Sequence, residues 1–127
     1  MSDPADVVRR YVATVADLGS TEEALREVLH PEIRVIEHPN PMNPQGATRD
    51  LDHMVEGFLA GKQLLKRQSI DIHELVSDAD RVAIRATWRG ATQDGTELVA
   101  HIAGWLTVED GRVREHETFD CYEPFTR

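Results

Sequence analysis

The sequence predicts an α+β fold in which helices cover one face of a mostly antiparallel sheet, and three observations lead there. In the first half of the chain apolar residues recur at helical spacing: Val7, Val8, Tyr11, Val12, Val15 and Leu18, then Ala24, Leu25, Val28 and Leu29, then Met54, Val55, Phe58 and Leu59. Around Ile70, Ile72 and Val76 the pattern changes to period two. Two Asp-Gly pairs, Asp94-Gly95 and Asp110-Gly111, then divide the run from Arg81 to Tyr122 into three strands. Helix, helix, strand, helix and four strands is an α+β order, not a series of alternating βα units.

Each element has its own signal. Asp3, Pro4 and Asp6 supply an N-cap, a first-turn proline and an acidic first turn, so a helix starts there and Gly19 ends it. Ser20-Thr21-Glu22-Glu23 is a capping box for a second, shorter helix, which His30-Pro31 closes. From Glu32 to His38 the alternation sets Ile33 and Val35 on one side and Ile36 and His38 on the other, giving a short strand. Pro39, Pro41 and Pro44 disfavour pairing, so Pro39 to Thr48 is expected to be a loop. Asp50 caps a third helix that closes near Gly61, and Lys66 to Val76 is a strand leading into a turn at Ser77-Asp78-Ala79-Asp80.

The 127 residues suit one domain, 1–127, with a core of its own. A net charge of −9 repels phosphate backbones and anionic lipid, so neither nucleic acid nor a membrane surface is an expected partner. Cys121 is the only cysteine, which leaves no internal disulfide and suits a reducing compartment. The opening MSDPADVV has neither a basic nor an apolar leader segment, and the expected location is the cytoplasm. There is no P-loop, G-x-G-x-x-G, G-x-S-x-G or C-x-x-C, so no cofactor is expected.

If both Asp-Gly pairs are two-residue type I′ loops, Gln93 faces Thr96, Glu109 faces Arg112, and every later pairing follows by counting. One face then carries the rows Trp88–His101–Asp120, Ala86–Ala103–Thr118 and Ile84–Trp105–His116. Small residues between rows bearing tryptophan leave a hollow with a few polar groups, the usual form of a small-molecule site. The opposite face carries Ile102, Leu106 and Phe119, too apolar to be left in water, and a symmetric homodimer through it is expected.

The order of elements, the opening Val7-Val8-Arg9-Arg10-Tyr11-Val12-Ala13, the strand end Val35-Ile36-Glu37-His38-Pro39 and the closing Arg114-Glu115-His116-Glu117-Thr118-Phe119-Asp120 together resemble the nuclear transport factor 2-like superfamily. The SnoaL-like branch of polyketide cyclases is the most similar part of it, and the resemblance covers essentially the whole chain. It implies a cone-shaped, strongly curved sheet with three helices enclosing a pocket, in a dimer. Ketosteroid isomerase is a more distant relative. Its helix-one tyrosine matches Tyr11, and its base aspartate, set in Glu-Asp-Pro, corresponds to His38 in Glu37-His38-Pro39. Its second oxyanion donor lines up with Ala103, which has no polar group and speaks against steroid isomerisation itself.

The candidate catalytic residues are therefore Tyr11, His38, His101 and Asp120. His101 and Asp120, if opposed, would have Cβ atoms about 4.5–5.5 Å apart, so the carboxylate could fix the imidazole tautomer. The same pair would serve equally as a structural polar contact. His38 would be the base and Tyr11 a hydrogen-bond donor, although a loop histidine and a core tyrosine are the plainer readings. Ile84, Ala86, Trp88, Ala103, Trp105, His116 and Thr118 are expected to shape a site for a small apolar molecule. His30, His53 and His73 read as surface residues, and no local ligand spacing indicates a metal. The expected activity is cofactor-free isomerisation, cyclisation or lyase chemistry on a carbonyl or polyketide-like compound. The alternative is ligand binding or scaffolding without chemistry.

Overall fold

The helices form where their capping side chains stand. In the computed structural model, which describes residues 3–125, α1 runs over Pro4–Ala16, α2 over Glu22–Val28 and α3 over Leu51–Leu64. Asp3 Oδ1 accepts from the backbone N–H of Ala5 at 2.9 Å, Thr21 Oγ1 from that of Ala24 at 3.1 Å, and Asp50 Oδ1 from that of His53 at 3.0 Å. Each satisfies a donor that the first helical turn leaves without a backbone partner. α3 runs on past Gly61 because that glycine keeps an ordinary helical backbone.

One sheet holds six strands in the order β2-β1-β6-β5-β4-β3. Their ranges are β1 Leu29–Glu37, β2 Ala47–Arg49, β3 Leu65–Asp78, β4 Arg81–Thr92, β5 Glu97–Glu109 and β6 Arg112–Tyr122. Among the described residues only β1 and β6 run parallel. Three-residue β2 falls at the end of the expected Pro39–Thr48 loop and pairs back on β1, with Ala47 opposite Glu37. Gly46 makes that return possible. Its φ is 68°, and a β-carbon there would lie 2.6 Å from the Glu37 carbonyl oxygen. Asn40 closes the loop: its Oδ1 accepts from the N–H groups of Met42 and Asn43, and its Nδ2 donates to the His38 carbonyl.

The core lies between the helices and one face of the sheet. Val7, Val8, Tyr11 and Val12 of α1, Leu25 and Val28 of α2 and Val55 of α3 pack on Leu29, Ile33, Val35, Val82, Ile84, Leu106, Val108 and Val113. Burying one such aliphatic side chain contributes roughly 1.5–3 kcal/mol relative to leaving it exposed, and this burial defines the inner face. Among the described residues no helix is long and apolar enough to cross a membrane.

Two one-residue departures from the expected register decide the site. In the first hairpin Thr92 N–H donates to Thr96 O and Gly95 N–H to Thr92 O, both at 3.0 Å. Gly95 has φ 90°, whereas Asp94 is not in the left-handed region, so Gln93-Asp94-Gly95 is a three-residue loop. Asp94 Oδ1 accepts from the Thr96 N–H and from the Thr92 hydroxyl, which holds the wider turn. The second hairpin is the expected type I′ turn, with Asp110 at φ 54°, Gly111 at 73° and Glu109 opposite Arg112. One step further on, Arg114 is an extra residue in β6: Val108 faces Val113, but Thr107 faces Glu115.

Both departures move β5 by one position, so β4 and β6 keep their expected faces and β5 is reversed. The inner rows are Trp88–Ala100–Tyr122, Ala86–Ile102–Asp120, Ile84–Gly104–Thr118 and Val82–Leu106–His116. The outer rows are Thr87–His101–Cys121, Arg85–Ala103–Phe119 and Ala83–Trp105–Glu117. His101, Ala103 and Trp105 thus leave the face on which the sequence set them, and Ile102 and Leu106 move inward, Leu106 to 1% exposure.

Candidate active site

β4, β6 and α1 bring six of the expected residues around one hollow of about 190 Å³. Tyr11, Ile84, Ala86, His116, Thr118 and Asp120 line it, with Val12, Val15, Ile70 and Ile102 completing an apolar wall. Trp88 stands further along the same face. Its ring covers Gly90, where a β-carbon would come within 2.5 Å of it, and its Nε1–H donates to Gln68 Oε1 at 2.8 Å. Tyr122 meets the Trp88 ring edge-on with centroids 6.4 Å apart.

Three polar groups serve this face. Tyr11 Oη and His116 Nδ1 are 3.0 Å apart, a hydrogen bond that joins the buried side of α1 to β6. Burial raises the Tyr11 hydroxyl above its ordinary pKa and lowers that of His116 from 6.5 to about 4, so the imidazole is neutral at pH 7. The residue as a whole is half-buried, but its Nε2 is closed to solvent and has no partner among the described residues. Asp120 is the second group. Burial pushes its carboxyl above the ordinary value, the Thr118 hydroxyl donating at 2.6 Å holds it partly down, nearby Glu37 pushes it up and Arg49 lowers it. Tyr122, half-buried and close to Asp120 and Glu37, is pushed up to about 12, chiefly by desolvation.

The third group, the Glu37–Arg49 pair, did not stand out in the sequence. Arg49 donates to Glu37 Oε1 at 2.6 Å, and Asn40 Nδ2 donates to Glu37 Oε2 at 2.7 Å. The signal was present in β1: an alternation that turns Ile33 and Val35 inward also turns Glu37 inward. By the same alternation His38 points outward, where its Nε2–H donates to Glu117 Oε2 at 2.7 Å and its ring stacks on Phe119 at 4.2 Å. His38 is therefore not placed at the hollow, and neither is His101. His101 Nε2–H donates to Glu123 Oε2 at 2.7 Å on the outer face, and the expected contact with Asp120 does not form because the two side chains stand on opposite sides of the sheet. Trp105 is 47% exposed there, and Ala103 lies beside it.

The outer face also holds larger hollows. One of about 650 Å³ is bordered by His73, Arg85, Thr87, Arg89 and His101, and one of about 350 Å³ by Arg67, Gln68 and Arg89. The first also takes in Ala86, Ile102, Ala103, Phe119 and Cys121, and arginines border both, whereas the smaller inner hollow is walled mainly by apolar side chains with few polar groups converging on it and better matches a small-molecule site. His53 and His73 are exposed, as expected, and His30 is half-buried, but each has a partner, Asp50 Oδ1 in the case of His53. His73 Nε2 lies 2.7 Å from Thr87 Oγ1, and His30 Nε2 lies 3.3 Å from Glu109 Oε2. His30, Glu109 and Asp110 come close enough to suggest a cation site. However, the Glu32 N–H donates to His30 Nδ1 at 3.0 Å, which leaves the hydrogen on Nε2 and no lone pair facing the carboxylates.

A six-stranded curled sheet, three helices on its inner face and a pocket between them define an α+β cone of the nuclear transport factor 2-like class. A profile of the SnoaL-like domain matches residues 8–116, and the chain belongs to that family. Among solved structures, IdmH from Streptomyces antibioticus, described as a candidate polyketide cyclase, is 22% identical with a TM-score of 0.74 over 94% of this chain and 92% of its own. An NTF2-like protein of unknown function from Burkholderia pseudomallei is 20% identical with a TM-score of 0.75 over 95% and 92%. An LEH-like epoxide hydrolase from M. tuberculosis is 11% identical with a TM-score of 0.74 over 93% and 82%. At these identities the likeness concerns the fold. No curated protein is similar enough in sequence to count as a match.

Proposed function

We propose that the protein is a cofactor-independent acid–base enzyme acting on a small, mainly apolar, conjugated carbonyl compound by isomerisation, cyclisation or elimination. The observation that supports it is a partly desolvated carboxylate, Asp120, in an apolar hollow that also holds a tyrosine hydroxyl. Burial makes Asp120 a stronger base than an exposed aspartate, and Tyr11 donates to negative charge as it develops on oxygen. His116 and Asp120 stand four residues apart on one strand, about 13 Å between Cα atoms. Tyr11 is tied to His116, so donor and base reach the hollow from different positions along β6, which suits a conjugated system where charge created at one carbon is carried to an oxygen elsewhere in the molecule. The hollow of 190 Å³ falls below the roughly 300–1,000 Å³ of drug-sized sites, so the substrate has one or two rings.

Isophorone, a monocyclic conjugated enone, tests this reading. The protein is expected to accelerate exchange of its γ C–H hydrogens for deuterium in D2O, followed by proton NMR. Stabilisation of the protein by isophorone with no faster exchange would assign the hollow to ligand binding alone.

The assembly proposed is a homodimer through the outer face, centred on Trp105 and Phe119 instead of Ile102 and Leu106. These two rings are 47% and 40% exposed, meet edge-on at 5.8 Å and carry the stacked His38 beside them. Trp105→Asp is expected to convert the dimer to a monomer in sedimentation velocity at micromolar concentration. A wild-type monomer would remove this proposal.

A further inference from the structure

The hydrogen bond between Tyr11 and His116 can run in either direction, and the surroundings of the ring select one. A neutral imidazole carries a single N–H, on Nδ1 or on Nε2. With the hydrogen on Nε2, the Tyr11 hydroxyl would donate to Nδ1, and the Nε2–H would be buried with no acceptor in reach. Instead of a carbonyl or hydroxyl, Nε2 is faced by the backbone of Gly104, where a β-carbon would lie 3.3 Å from it and 3.2 Å from Ile84 Cγ1. A buried N–H without an acceptor is among the rarest arrangements in folded proteins.

With the hydrogen on Nδ1 the buried nitrogen left without a partner is an acceptor and not a donor, the less costly of the two. Nδ1–H donates to Tyr11 Oη at 3.0 Å, the ordinary length for an N–H···O bond. Nε2 then presents only a lone pair to the glycine and to the apolar Ile84. The Tyr11 hydroxyl hydrogen turns away from His116 toward the hollow that Tyr11 lines, where a bound molecule can accept it.

We infer that His116 is held as the Nδ1–H tautomer and is a positioning residue that aims the Tyr11 O–H into the hollow, so that the ligand must present an acceptor oxygen there. A carbonyl or enolate oxygen satisfies this, and an ammonium group, which has no lone pair, does not. Gly104 completes the device, because the absence of a side chain lets the ring seat with Nε2 sealed off. The ligand class rests on the proposed function of the hollow, whereas the tautomer belongs to the ligand-free protein.

Two-bond 15N–1H correlation spectra of the uniformly labelled, full-length protein at pH 7 without ligand test the tautomer, with His116 assigned through its backbone. The expected spectrum shows Nδ1 protonated and Nε2 bare. An Nε2–H ring, a doubly protonated ring or an even mixture would overturn the inference without touching the role given to Asp120. Adding isophorone is expected to leave Nδ1 protonated and to shift the Tyr11 ring signals. A ligand-induced change to the Nε2–H form would equally overturn it. A Nδ1–H ring in a protein that exchanges no isophorone hydrogens would leave the tautomer standing and remove the catalytic reading.

Discussion

Asp120→Asn is expected to slow isophorone exchange by about 10²–10⁴-fold, the usual contribution of a positioned general base, and to keep the fold. Asparagine has the shape of aspartate and retains an oxygen for the Thr118 hydroxyl, so the lost property is basicity. The same substitution is expected to raise the thermal midpoint at pH 7. The folded-state pKa of Asp120 is raised above its unfolded value, chiefly by burial. The stability associated with this group is thus fully present below the unfolded pKa and is lost as pH rises through the folded one. At neutral pH the wild type carries a carboxylate in a poorly solvated place, and removing that charge exchanges activity for stability. Exchange rates and melting curves of the two proteins check both halves. An Asn variant as active as wild type would exclude Asp120 from the chemistry.

Acidification from pH 6.5 toward pH 4 is expected to cost about 3 kcal/mol of stability through His116 alone, since its pKa falls from 6.5 to about 4 and each unit corresponds to about 1.36 kcal/mol. The sign is opposite to that of Asp120. Above 6.5 the imidazole is neutral folded or unfolded, and its stabilising contribution is intact. Below that value the unfolded chain takes up a proton that the buried ring refuses, and stability is lost until the folded pKa is reached. Urea unfolding of Asp120→Asn across this range isolates the histidine from the opposing aspartate. His116→Phe in the same background keeps an aromatic ring but cannot titrate, and its stability is expected to change less with pH over the interval. Equal slopes for the two proteins would show that His116 is not the sensing group.

Local signals carried further along this chain than the pairing signals did. Asp3, Thr21 and Asp50 each announce a helix and each cap one, because capping is decided within three residues. The inner face of β1 followed from alternation alone, which made Glu37 legible and argued against His38 as a cavity residue, although the resemblance to ketosteroid isomerase pointed to His38. Tyr11, Ile84, Ala86, His116, Thr118 and Asp120 reached the same hollow because the two register departures cancel between β4 and β6. They do not cancel for β5, and His101, Ala103, Trp105, Ile102 and Leu106 all exchange faces.

What the sequence determined by itself was the set of elements apart from the short β2, their order, the helix caps and the branch of proteins they belong to. Those properties depend on neighbours a few positions apart. The choice between a two-residue and a three-residue loop at Asp94-Gly95, and the extra residue at Arg114, were decided only by the assembled sheet. Either loop satisfies the turn chemistry, and burial of Ile102 and Leu106 against the helices selects the one that puts them inside. That selection placed Gly104 beside His116 and left His101 outside, so the tertiary packing of one strand determined which polar groups share the hollow.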